Sequence, residues 1–359
     1  MTQRPKQADV AKLAGVSRAT VSFVLNNRLD SRVPISEATR RKVLAAAQQL
    51  GYEPYVIARS LRSGTSLTIG FLMPTLHNPH YWDILDGAEE EITARGYHLA
   101  LVIANLNPQR ELDCLHSLSQ QRLDGLILIP TFPDTIIEAQ GDQWFRRTPV
   151  VITYPVESAD WVFPDFRCGD EQMMDHLLAL GHQRIGLIDG GARTDIALAR
   201  QAIYWEKIAS AGISRDESLI YRCGHLSCDG YRAAIRLLEL LQPPTAIWAI
   251  NDLVAVGVLR ALHDHGWRVP DDTALAGYDD NFIAAQLYPP LTTVHIPARQ
   301  LGRRAAEILF RRLECPNAEP AQELIPTRLI VRQSTGHSPP PSFSQPGETH
   351  RKGGVTIPI

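Results

Sequence analysis

Residues 8–25 read ADVAKLAGVSRATVSFVL, and their reading decides how the chain begins. Asp9 to Ala14 form a short amphipathic stretch, with Val10 and Leu13 on its apolar face and Ala11 and Ala14 small enough for a close neighbour. Gly15 stops it. Ser17 is placed to cap a second helix over 18–26, with Val21, Val24 and Leu25 turned inward. Two short helices across a glycine turn make a helix-turn-helix, whose second helix lies in the major groove and touches base edges with its first residues. The spacing alone also fits a helical hairpin capping a larger domain.

Working outward, Ser36 caps a third helix running to Leu50, with Val43, Leu44, Ala47 and Leu50 as its packed side and Gly51 as its stop. Residues 1–66 carry 11 Lys and Arg against 4 Asp and Glu, a charge of +7, which leaves 25 against 35, or −10, for the rest. A basic head on an acidic body confines nucleic-acid contact to the head, because phosphates attract the one and repel the other. With 359 residues, 44% of them hydrophobic, the chain has length for two or three domains.

The blocks VAKLAGVSRATVSFVLNN, ISEATRRKVLAAAQQLGYEP and ARSL resemble the DNA-binding head of the lactose-repressor and galactose-repressor family of bacterial transcription regulators. The resemblance runs nearly unbroken over residues 8–63. It implies that Arg18, Ala19 and Phe23 read bases, Arg18 suiting guanine and the other two a thymine methyl. Phe23 stands where the family often has arginine, and it can also be read as packing on the first helix. Ser17, Thr20, Ser22 and Asn27 are then phosphate contacts. In the stretch PYVIARSL (54–61), the resemblance implies a hinge that becomes helical in the minor groove, with Ala58 and the wedge Leu61 at the DNA. A plain linker is the alternative.

From Leu67 the texture changes. LTIGFLM, YHLALVIA, DGLILIP, PVVITY, RIGLIDG, AIWAIN and TALAGYD read as buried strands. The stretches 81–95, 109–121, 170–180, 197–211, 230–241 and 252–265 read as helices between them, which implies parallel sheets covered on both faces. A break near 154–164 separates two such runs, and a last helix, 297–313, returns the chain to the first. Further blocks, among them IGFLMPTLHNPHYW, PPTAIWAINDLVAVGVLRAL and VPDDTALAGYDD, extend the resemblance to about Thr335. They imply a two-lobed type I periplasmic-binding-protein fold.

The domain expectation is a head over 1–53, a hinge over 54–66, an effector-binding and dimerisation domain over 67–336 and a disordered tail over 337–359. Within the large domain, one lobe covers about 67–160 plus 297–336 and the other about 161–296. Ligands of open parallel sheets bind beyond the carboxyl ends of the strands. That places His77, Asn78, Tyr81, Trp82, Thr153, Arg200, His225, Asn251 and Asp279 at the effector, with His80, Tyr154 and Asp165 nearby. Arg200, Asn251 and Asp279 match positions where the family hydrogen-bonds polar effectors, a set that can donate, accept and do both. Thr153 and His225 depart from the family's common aspartate and aromatic residue. Asn251 and Asp279 equally suit plain capping roles, and His80, Tyr81 and Trp82 core positions.

Five scattered cysteines do not form a disulfide pattern, there is no secretory signal, and no run approaches the roughly 18 apolar residues of a membrane span. These features imply a cytoplasmic protein. Cys223, His225 and Cys228 lack a second pair for structural zinc, and no nucleophile–base pair stands out, so neither metal, cofactor nor enzymatic activity is expected. The tail lacks leucine heptads. The expectation is a homodimeric repressor of carbohydrate-utilisation genes on a pseudo-palindromic operator, released by a small sugar. A corepressor such as a purine is the alternative; a transport solute-binding protein and a sugar enzyme are weaker rivals.

Overall fold

The computed structural model describes residues 5–25, 35–52, 65–132, 147–190 and 195–336. The head is three helices, α1 (Gln7–Ala14), α2 (Arg18–Leu25) and α3 (Glu37–Leu50). Ser17 Oγ accepts from Thr20 N at 3.1 Å and Ser36 Oγ from Thr39 N at 3.2 Å. Gly15 and Gly51, at φ +66° and +60°, end α1 and α3 in the left-handed region that glycine enters without steric cost. Val10, Ala11, Val21, Val24, Val43, Ala46 and Ala47 make one small core. Leu13 and Leu44, expected inside, are each 46% exposed. The helices approach on alanines, and each leucine falls roughly 100° round its helix from the centre of the buried stripe.

The body is two lobes, each on a six-stranded sheet. In the first lobe β1 (Thr68–Met73), α4 (Pro79–Ala94), β2 (His98–Ile103), α5 (Pro108–Ser119), β3 (Gly125–Leu128), β4 (Val150–Ile152) and β5 (Asp160–Asp165) follow in order. The second contains α6 (Phe166–Ala179), β6 (Ile185–Gly190), α7 (Asp195–Ser210), β7 (Ile220–Cys223), α8 (Ser227–Leu238), β8 (Ala246–Ala249), α9 (Asp252–Asp264), β9 (Ala274–Asp279) and β10 (Thr292–His295). The chain then returns through α10 (Ala298–Glu314) and β11 (Gln322–Pro326) to the first lobe, and β12 (Arg328–Ile330) closes the second. Strand orders are β11-β5-β4-β3-β1-β2 and β12-β10-β9-β8-β6-β7. All pairs are parallel except β10 with β12.

Two expected boundaries are corrected. The break near 154–164 contains β5, which pairs with β4 and β11, so the first crossing comes at Phe166 rather than 161. Residues 328–336 likewise belong with the second sheet, not the first lobe. DWVFPD carries a proline and two aspartates, which masks a strand whose buried positions nevertheless alternate. Within the lobes, helices meet through glycine. A Cβ on Gly302 would lie 1.8 Å from Ile84 O and one on Gly87 1.9 Å from Arg299 O, so α4 and α10 touch backbone to backbone. Gly257 and Gly230 do the same for α8 and α9. No helix among the described residues is long and apolar enough to cross a membrane.

Candidate functional site

At the start of α2, Arg18 and Ala19 are exposed and Phe23, one turn on from Ala19, is half-buried outside the core cluster. The Ser17 and Thr20 hydroxyls lie 2.9 Å apart, so the cap holds them together. Ser22 is half-buried on α2. Asn27, Ala58 and Leu61 lie outside the described residues.

Between the lobes is a cavity of about 160 Å³. Seven of the nine expected effector residues line it: Asn78, Tyr81, Thr153, Arg200, His225, Asn251 and Asp279. Most arrive from loops just beyond strand ends, as the parallel sheets dictate. Asn78 caps α4, its Oδ1 accepting from His80 N at 3.1 Å, while its Nδ2 donates to Asp279 Oδ2 across the cleft at 2.9 Å. His80 Nδ1 stands 3.9 Å from the other Asp279 oxygen. Burial pushes the Asp279 pKa above the ordinary aspartate range, with His80 and the Asn78 bond opposing it. Its backbone sits at φ +103°, uncommon for a non-glycine residue.

Asn251 does cap α9, its Oδ1 accepting from Val254 N at 2.7 Å, and its Nδ2 also donates to His225 O at 3.3 Å. The capping and lining readings are therefore both realised. Arg200, 3% exposed, lies over the rings of Tyr278 and Trp248, at 4.3 and 5.3 Å. Its Nε donates to Asp170 Oδ1 at 3.1 Å. Burial pushes Asp170 up to about 6, only partly offset by Arg200. Burial also lowers the His225 pKa, which keeps that ring neutral near pH 7. Thr153 Oγ1 is buried with no hydrogen-bond partner.

His77 and Trp82 do not line the cavity. His77 is exposed, its Nδ1 2.9 Å from Thr75 Oγ1. Trp82 is 47% exposed and donates from Nε1 to Leu76 O at 3.0 Å. Because α4 begins at Pro79, His80 and Tyr81 turn into the cleft and Trp82 turns out. Sequence reading missed Phe163, Phe166 and Tyr278 as lining residues. The first two fall on the unrecognised β5 and its crossing; Tyr278, beside Asp279, carried no signal beyond its place at a strand end.

A helix-turn-helix head on a two-lobed body with a cavity between the lobes defines a DNA-binding regulator under small-ligand control. Residues 8–55 match the model of bacterial regulatory proteins of the lacI family, and residues 174–335 that of a periplasmic binding protein-like domain. The repressor PurR of Photobacterium profundum is 33% identical over 329 residues, covering 91% of this chain and 97% of that one. PurR of Mannheimia succiniciproducens is 31% identical over 330 residues, with the same coverage. The lac repressor dimer bound to operator and the anti-inducer ONPF superimposes with a TM-score of 0.81 at 27% identity, covering 93% of this chain and all of that one. The regulator CelR in complex with cellobiose does so at 0.67 and 30%, covering 92% and 100%. The chain belongs to the lacI family of bacterial regulatory proteins and is a DNA-binding repressor with a small-molecule effector domain.

Proposed function

We propose that the effector is a single polar ring, a monosaccharide in first reading, held between Arg200, Asn251 and Asp279 of one lobe and Asn78, Tyr81 and Thr153 of the other. The carrying observation is the convergence of these groups on one interlobe cavity that contains an unpartnered hydroxyl, Thr153 Oγ1. At about 160 Å³ it is smaller than the roughly 300–1,000 Å³ of drug-sized pockets and suits one ring. A buried carboxylate, a guanidinium and an amide suit vicinal hydroxyls, which donate and accept at once.

In this reading the effector rearranges the lobes, separates the paired hinges at 54–61 with their Ala58 and Leu61, and lowers operator affinity. Arg18, Ala19 and Phe23 read bases, while Ser17, Thr20, Ser22 and Asn27 hold phosphates. The protein acts as a homodimer in the cytoplasm on a pseudo-palindromic site. Trp82 and Leu76, exposed and in contact on the first lobe, support a subunit interface there.

A purine-type corepressor that strengthens DNA binding is the second reading. The relatives named PurR and the flat aromatic walls of Phe163, Phe166 and Tyr278 favour it. Thermal stabilisation across monosaccharides, disaccharides and nucleobases separates the two, because a ligand raises the melting point by mass action. A monosaccharide that stabilises the protein and releases DNA supports induction. A nucleobase that stabilises it and tightens DNA binding replaces that reading.

A further inference from the structure

One wall of the interlobe cavity is tied to a buried carboxylate that does not itself line the cavity. Ile129 and Pro130, in the loop that leaves β3, are lining residues. The next two residues bond to Glu111 of α5: Thr131 N donates to Oε2 at 3.0 Å and Phe132 N to Oε1 at 3.3 Å. Glu111 is fully buried. A loop beyond its strand has lost the ladder that would take its amides, and a carboxylate removed from water is tolerated only when hydrogen-bonded. Charge-assisted bonds to two consecutive amides meet both needs. The helix is fixed at the same end, where Asn107 Oδ1 accepts from Arg110 N at 2.9 Å and Asn107 O from Glu111 N at 2.9 Å. Tyr81, another lining residue, feels the same charge. Burial first, then Asp279 and Glu111, push its phenol above the ordinary tyrosine range, so it keeps its proton near pH 7.

We infer that Glu111 is a positioning residue of the effector site: its two bonds hold the loop after β3, and through it the Ile129–Pro130 wall, in the place the ligand requires. The inference rests on the interlobe cavity being the effector site and adds the residue that sets one of its walls. Alanine at this position leaves two amides without their acceptors. Glutamine keeps the shape and one acceptor but turns a donor towards the other amide.

Calorimetric titration of the full chain with D-glucose, D-galactose, D-mannose, D-ribose, adenine, guanine and hypoxanthine tests this, run on wild type, Glu111→Ala, Glu111→Gln and Leu118→Val. Leu118 lies on the same helix, buried in the first lobe's core and outside the cavity lining, so its variant reports what lost stability alone does. Hydrogen exchange over 126–132, read by mass spectrometry without ligand, reports whether the loop is held. A compound that binds wild type is expected to bind Glu111→Ala at least about tenfold more weakly, Glu111→Gln with a smaller loss and Leu118→Val as before, with exchange over 126–132 faster in Glu111→Ala. Should Glu111→Ala fail to fold, Glu111→Gln carries both readings. Unchanged affinity in the Glu111 variants, a loss matched by Leu118→Val, or unchanged exchange over 126–132 overturns the inference and leaves the effector reading standing. If no compound binds wild type, the reading of the cavity as a site for a single polar ring falls, and the inference with it.

Discussion

The Thr153 hydroxyl is buried without a partner, an arrangement that ordinarily costs about 1–3 kcal/mol. In the proposed reading the effector supplies the bond that the protein leaves unmade. Thr153→Val is therefore expected to leave chemical-denaturation stability unchanged or slightly higher without effector, and to weaken effector binding by about 1 kcal/mol, roughly fivefold. A ligand affinity untouched by the change would remove Thr153 from the site. Asp279 yields a pH dependence. The ionised carboxylate is the acceptor, and burial raises its pKa above the usual aspartate range, while Asp252 close by is raised too, by burial and then by the Asp279 charge. Protonation thus begins at higher pH than for a free aspartate, so effector affinity falls as the solution is acidified and starts to fall at a higher pH than an ordinary aspartate would give. Asp279→Asn should bind more weakly at pH 7 and show a flattened profile. At this scale the sequence revealed residues that follow strand ends, such as Asn251 and Asp279. It could not say that α4 starts at Pro79, and so it misplaced His77 and Trp82.

Among the elements, buried helices and strands with continuous apolar runs were legible, because a parallel strand covered on both faces has no polar side. The head was legible through its caps and glycine stops. What stayed hidden were β5, an inner strand masked by its proline and aspartates, and two short edge strands: β7 at the end of the second sheet, and β12, whose pairing with β10 depends on a crossing that no local pattern encodes. The glycine contacts between helices were also invisible, since a glycine in a helix reads only as a weak propensity. They give a prediction. Gly302→Ala would drive a methyl into the Ile84 carbonyl, force α4 and α10 apart, and cost about 1–3 kcal/mol by overpacking. Thermal or urea unfolding measures it, and an unchanged midpoint would mean that the two helices are not held at backbone contact.

For the whole molecule, two facts meet. The head carries the positive charge, +7 over residues 1–66 against −10 beyond, while the hydrogen-bonding cavity lies between the lobes, where both contribute polar groups. Asp279 and Asn78 join those lobes across the cleft, so a ligand in the cavity they line lies beside a contact that relates one lobe to the other. Regulation at a distance requires only that the ligand prefer one lobe arrangement, with coupling of about 1–3 kcal/mol. The most direct test is the affinity for a DNA fragment selected by the protein itself from a random pool, measured by fluorescence anisotropy with and without a saturating ligand from the stabilisation panel. The account predicts a change of about 5- to 150-fold, a loss of operator affinity for a sugar, abolished in Asp279→Asn while ligand-free DNA affinity is retained. A ligand that binds between the lobes and leaves DNA affinity the same would contradict it.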